Sequence, residues 1–159
     1  MTGSTMTVTL PTDEQILLTR EFDAPRHLLY RAWTTPELIR RWWPGLRGAM
    51  TVVEIDLRVG GAWRFVMIAD GGFEVAFHGE YLEVVPDERI VSTETFEGAP
   101  AGEPAHITTT FTEHDGRTTL ELLMRLPSQE VRDMVLATGM TDGVHEQMAI
   151  LDELVMPPA

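Results

Sequence analysis

Phe22 to Gly45 reads FDAPRHLLYRAWTTPELIRRWWPG, and Glu54 to Phe65 reads EIDLRVGGAWRF. The first stretch encodes two short helices in succession. Pro25 suits a first helical turn, where its missing N–H would be unpaired anyway, and Asp23 or Ala24 precedes it as cap. Leu28, Leu29, Ala32 and Trp33 then recur on one face. Thr35 caps a second helix whose first residue is Pro36, and Glu37 sits near its positive end. This helix carries Leu38, Ile39, Trp42 and Trp43 until Pro44-Gly45 stops it. The second stretch is an alternating strand that runs into Gly60-Gly61 and re-emerges as an aromatic strand.

Outward from this centre, residues 14–23 alternate as a first strand, with Ile16, Leu18 and Phe22 on one side. Downstream lies a meander with turn signals at Gly60-Gly61, Asp70-Gly71-Gly72, Pro86-Asp87-Glu88 and Asp115-Gly116, and a longer loop over residues 98–104. The last segment is helical. Ser128 caps a short helix to Leu136, Gly139 interrupts, and Thr141 caps a main helix to Val155 with an inward stripe of Val144, Met148, Leu151 and Val155.

These motifs, together with HGEYLEVVPDERIV at 78–91, resemble the activator of heat-shock-protein-90 ATPase homologue-like family, a branch of the SRPBCC (START-like, helix-grip) superfamily. The resemblance spans nearly the whole chain. It implies an α+β helix-grip fold: a curved antiparallel sheet wrapped around a long C-terminal helix, with two short helices after the first strand. Residues 13–156 then form one domain behind a flexible tail at 1–12. In that superfamily one cup hosts lipid carriers, cyclases, antibiotic-sequestering proteins and co-chaperone domains, so the fold does not choose the function. Eukaryotic activators of the family's name also use a separate N-terminal domain, for which this chain leaves no room, and a chaperone partner is not expected. Where members commonly have Gly-Trp at the start of the last helix, this chain has Gly143-Val144. An isopropyl in place of an indole leaves space for roughly two or three waters.

Alternation also fixes faces. Val53, Ile55 and Leu57 share one face and Glu54, Asp56 and Arg58 the other; Trp63, Phe65 and Met67 lie together, as do Phe73, Val75, Phe77 and Tyr81. Three-residue loops at 59–61 and 70–72 pair Leu57 with Trp63, Asp56 with Arg64, Trp63 with Gly79 and Arg64 with His78. Gly79 leaves room for the Trp63 indole. Asp56, Arg64 and His78 form a cross-strand row on the outer side, opposite the aromatic face. After Tyr81 the apolar phase slips to Leu82 and Val84, which implies a bulge near Glu83.

The 159 residues suffice for one buried core, and 43% hydrophobic content is that of a globular domain. A net charge of -13 repels phosphate backbones and anionic membrane surfaces, so no nucleic-acid partner is expected. No run reaches the roughly 18 apolar residues of a membrane span. With Cys 0 there is no disulfide framework or thiolate chemistry, and without a secretory signal the cytoplasm is the default location. A homodimer is left open.

No HExxH, Cys/His cluster, GxSxG, Walker loop or dinucleotide fingerprint is present, so neither metal nor cofactor is expected and no catalytic residue is assigned. His27, His106 and His114 read as outward, and His145 as a helix-face residue near the cup's mouth. No paired carboxylates are predicted to point inward. The inward set is apolar, and the candidate ligand contacts are Trp33, Trp63, Phe65, Met67, Phe77, Tyr81, Met124, Val144, Met148 and Leu151. The leading expectation is a protein that holds a small hydrophobic or aromatic molecule between sheet and last helix. The alternative is a cyclase- or hydrolase-type enzyme using the same cavity, with Tyr81, His145 and Arg64 as its polar suppliers. Stimulation of a chaperone ATPase comes third.

Overall fold

A computed structural model of the chain describes residues 6–98 and 102–155. The start of the expected tail, the centre of the 98–104 loop and residue 156 fall outside the described residues. Eight strands form one antiparallel sheet: β1 (Thr7–Thr9), β2 (Gln15–Phe22), β3 (Gly48–Ile55), β4 (Ala62–Ala69), β5 (Glu74–Val85), β6 (Arg89–Phe96), β7 (Ala105–His114) and β8 (Arg117–Arg125). Their spatial order is β1-β2-β8-β7-β6-β5-β4-β3. The described residues also form four helices: α1 (Arg26–Thr34), α2 (Pro36–Trp42), α3 (Gln129–Ala137) and α4 (Met140–Val155). This is the helix-grip arrangement, with the sheet curved around α4 and α1–α2 inserted between β2 and β3. Within the stretch read as a tail, Thr7–Thr9 add an edge strand to β2, with Val8 opposite Leu18.

The alternating pattern of β2 buries Ile16, Leu18, Arg20 and Phe22. Leu29 and Ala32 of α1, Ile39 and Trp42 of α2, and Met148, Leu151 and Val155 of α4 are buried as well. Burial of these apolar faces, more than helix propensity, holds such short helices in place. Pro36 is the first residue of α2 as expected, whereas Pro25 is itself the N-cap of α1, one position before the helix, in place of Asp23 or Ala24. Ser128 caps α3 by accepting a hydrogen bond from the Val131 N–H at 3.2 Å. Gly139 takes φ +81 between α3 and α4, a conformation in which a side chain would be strained.

The β4–β5 register is as the sequence implies, Trp63 opposite Gly79 and Arg64 opposite His78. A Cβ on Gly79 would lie 1.9 Å from the Thr93 carbonyl oxygen and 2.6 Å from the Trp63 indole nitrogen, so only glycine fits. The β5–β6 register shifts between Tyr81 and Glu83, where the phase slip places a bulge.

The β3–β4 hairpin differs from expectation. Ile55, not Leu57, lies opposite Trp63, and Glu54, not Asp56, opposite Arg64. The chain turns earlier because residues 56–61 fold into a tight loop. The Arg58 N–H donates to the Asp56 carbonyl at 2.8 Å, as does the Gly61 N–H to that of Arg58. A side chain on Gly61 would strike the Asp56 carbonyl. Two residues of slip preserve the parity of the strand, so every side chain keeps its face. The outer row therefore loses Asp56, which pairs with Arg58 at 2.9 Å. It gains Glu97, which binds Arg64 through two contacts of 2.9 Å and His78 at 3.0 Å. Those two partners hold the Glu97 carboxyl down at about 2.

Candidate functional site

Between the concave face of β4–β8 and the start of α4 lies a cavity of ≈ 350 Å³. Each wall follows from strand parity or helix periodicity. β4 supplies Trp63, Phe65 and Met67; β5 supplies Phe77 and Tyr81; β8 supplies Leu122 and Met124. α4 contributes Val144 and Met148 through its inward stripe, and α1 and α2 contribute Trp33, Ile39 and Trp42. Nine of the ten expected contacts thus come together around one space. Leu151 does not: it is buried one turn further along α4, in the core with Phe22 and Phe111.

The aromatic lining is braced by its own geometry. Trp43 meets Phe65 and Phe77 edge-on at 5.4 and 5.5 Å, and Trp63 packs on Phe65 at 4.8 Å. Trp33 lies against Trp42 at 4.4 Å. Indole N–H groups are satisfied by carbonyls, Trp42 donating to Ala32 at 2.9 Å and Trp63 to Thr93 at 3.2 Å. These rings are therefore fixed by packing and by hydrogen bonds where they line the cavity.

At the rim, α4 is tied to the segment after α2. Gln147 donates to the Trp43 carbonyl, and Arg47, itself a lining residue, pairs with Glu146 at 3.2 Å. The hydrogen bonds from Arg47 and from the Leu46 N–H hold the Glu146 carboxyl below its ordinary range. Gly143 stands open beside them, with only Arg47 within reach of an added Cβ.

The polar residues differ from the sequence reading in one respect. All five histidines are exposed, His145 included, and Arg64 faces solvent. Glu94, however, points inward from β6 with Ser92, and Thr109 from β7 joins them. Desolvation raises the Glu94 carboxyl to about 7, and burial likewise raises the Tyr81 hydroxyl. The signal for Glu94 was parity with Ile90, two strand repeats earlier. Among the described residues no three His, Asp or Glu side chains converge as a metal site requires, and no helix is long and apolar enough to cross a membrane.

The curved sheet, the gripped α4 and the aromatic-lined cavity define a helix-grip protein of the SRPBCC type. Residues 23–156 match the family described as Activator of Hsp90 ATPase homolog 1-like protein, and the chain belongs to that family. A crystal structure of a protein from Chromobacterium violaceum is 30% identical, with TM-score 0.82 over 92% of this chain and 100% of that one. A crystal structure of a Mycobacterium smegmatis protein is 26% identical, with TM-score 0.86 over 99% of both chains. An Hsp90 activator from Plasmodium falciparum is more distant: 24% identity and TM-score 0.57, over 72% of this chain and 74% of that one. At that identity the likeness concerns the fold alone. No curated protein matches the sequence.

Proposed function

We propose that this protein binds a small hydrophobic or aromatic molecule in the cavity between the sheet and α4. The observation that carries this reading is the ≈ 350 Å³ space lined by Trp63, Phe65, Phe77 and Met148. A protein needing only stability would fill such a space with side chains, since interiors pack to crystal-like density. The volume lies within the range of small-molecule sites, about 300–1,000 Å³. The test is titration with a neutral solvatochromic naphthalene dye such as prodan. The expected result is saturable one-to-one binding with a blue-shifted emission and quenching of tryptophan fluorescence. Absence of saturable binding by dyes of this size would sink the reading.

A second reading, catalysis of the cyclase or hydrolase type, draws on Glu94, whose carboxyl titrates where a general acid or base is effective. Tyr81 places a second weakly acidic group, a phenol, on the cavity wall. Stimulation of a chaperone ATPase, the activity in the family's name, ranks third because no feature of this cavity serves it.

A further inference from the structure

Among the described residues Glu94 is the one carboxylate in the cavity wall, and no hydrogen bond or ion pair meets its side chain. Among the described residues no buried side-chain oxygen is sealed off without a partner, so the unpartnered Glu94 carboxylate of the cavity wall is not sealed off. The register that sets His78 against Thr95 and Tyr81 against Ser92 places Glu94 across from Gly79, which has no side chain of its own. The Trp63 indole lies over that same gap, bonded to the neighbouring Thr93 carbonyl. A carboxylate in the same wall as the aromatic rings repels anionic ligands and is left without a partner by hydrocarbons. It is satisfied by a cation with an apolar body, which the ring faces also attract.

We propose that the cavity takes an aromatic or aliphatic amine, its ammonium set against Glu94 and its apolar body against Trp63, Phe65 and Phe77. This rests on the cavity-binding reading and deepens it. The other titratable or charged groups facing the space are Tyr81 from β5 and Arg47 before β3; Arg47 is occupied by Glu146 of α4. β4, β7, β8, α1 and α2 present only apolar or uncharged residues to it. An ammonium partner lowers the Glu94 carboxyl from its raised position near 7, so binding releases a proton and tightens with rising pH.

The experiment compares three probes of one shape, naphthylmethylamine, naphthylmethanol and naphthoate, by calorimetry on the wild-type chain and on Glu94→Gln. At about pH 8 the amine is expected to bind roughly tenfold or more tighter than the alcohol, with naphthoate weakest. Glu94→Gln should erase that preference. In the wild-type chain alone, amine affinity should rise between about pH 6 and pH 8 with proton release, and alcohol affinity should stay flat. Equal binding of amine and alcohol, or an amine preference that survives Glu94→Gln, would overturn the proposal and leave the cavity reading standing. If none of the three probes nor prodan binds, both fall.

Discussion

Glu94 shows how one residue can oppose the fold that holds it. Its carboxyl moves from the ordinary 4.5 to about 7 because the cavity wall strips it of water. The native state then keeps a proton that the unfolded chain has already released, so stability declines as pH rises from about 4.5 to about 7. Glu97 behaves oppositely: its carboxyl is held at about 2, and the stability it lends above 4.5 is lost as pH falls towards 2. Glu94→Gln keeps the side-chain shape and removes the ionisation. It is expected to stabilise the protein at about pH 8 by roughly 1–3 kcal/mol and to leave it near wild type at about pH 5. Urea unfolding at both pH values measures this, and an equal difference at both would mean that Glu94 is solvated. The residue was hard to read from sequence for a definite reason. In RIVSTETF, the outward set Val91, Thr93 and Thr95 is wholly β-branched while the inward set Ile90, Ser92 and Glu94 holds a single apolar residue, so alternation carries no hydrophobic contrast that marks the inner face.

Helix α4 is held by more than its apolar stripe. Arg20 shares the inward face of β2 with Ile16, Leu18 and Phe22, and it is 8% exposed. Its guanidinium lies 4.7 Å from the Phe22 ring centre, donates to the Met148 carbonyl at 3.0 Å and pairs with Asp152 at 3.6 Å. It thus ties β2 to the middle of α4. Truncation would leave a buried carbonyl and a half-buried carboxylate without their partner. Arg20→Ala is therefore expected to destabilise by about 2–4 kcal/mol in denaturant unfolding, where an exposed arginine would change little. A loss below about 0.5 kcal/mol would show that the tie is not structural. Apart from the edge strand β1, which lies in the stretch read as a tail, the elements were legible, because prolines, glycines and the Ser128 cap mark their ends and two aromatic strands fix the β4–β5 register. What escaped was where β3 ends. Asp56-Leu57-Arg58 alternates well enough to continue the strand, and only the backbone approach at Gly61 turns it earlier.

At the scale of the whole molecule, sheet, short helices and α4 enclose a volume that their side chains do not fill, and Val144 stands at its edge. The isopropyl group is half-buried on the first turns of α4, beside Gly143 and opposite the rings of β4 and β5. If enclosure of a ligand is the function, packing density and affinity trade against each other at this position. Val144→Trp adds a volume of roughly two or three waters, about 60–90 Å³. The cavity of ≈ 350 Å³ can accept that without displacing the sheet. The variant should therefore melt at or above the wild-type temperature, since apolar surface is buried in available space and no core is overpacked. Its affinity for prodan should fall about tenfold or more, because the ligand loses room and contacts that the indole now occupies. Thermal unfolding and dye titration on the same sample separate the outcomes. Undiminished affinity with an intact fold would place the binding site away from α4. Loss of stability by several kcal/mol would mean that Val144 is already closely packed, and the case for a ligand cavity at this end of the helix would fail with it.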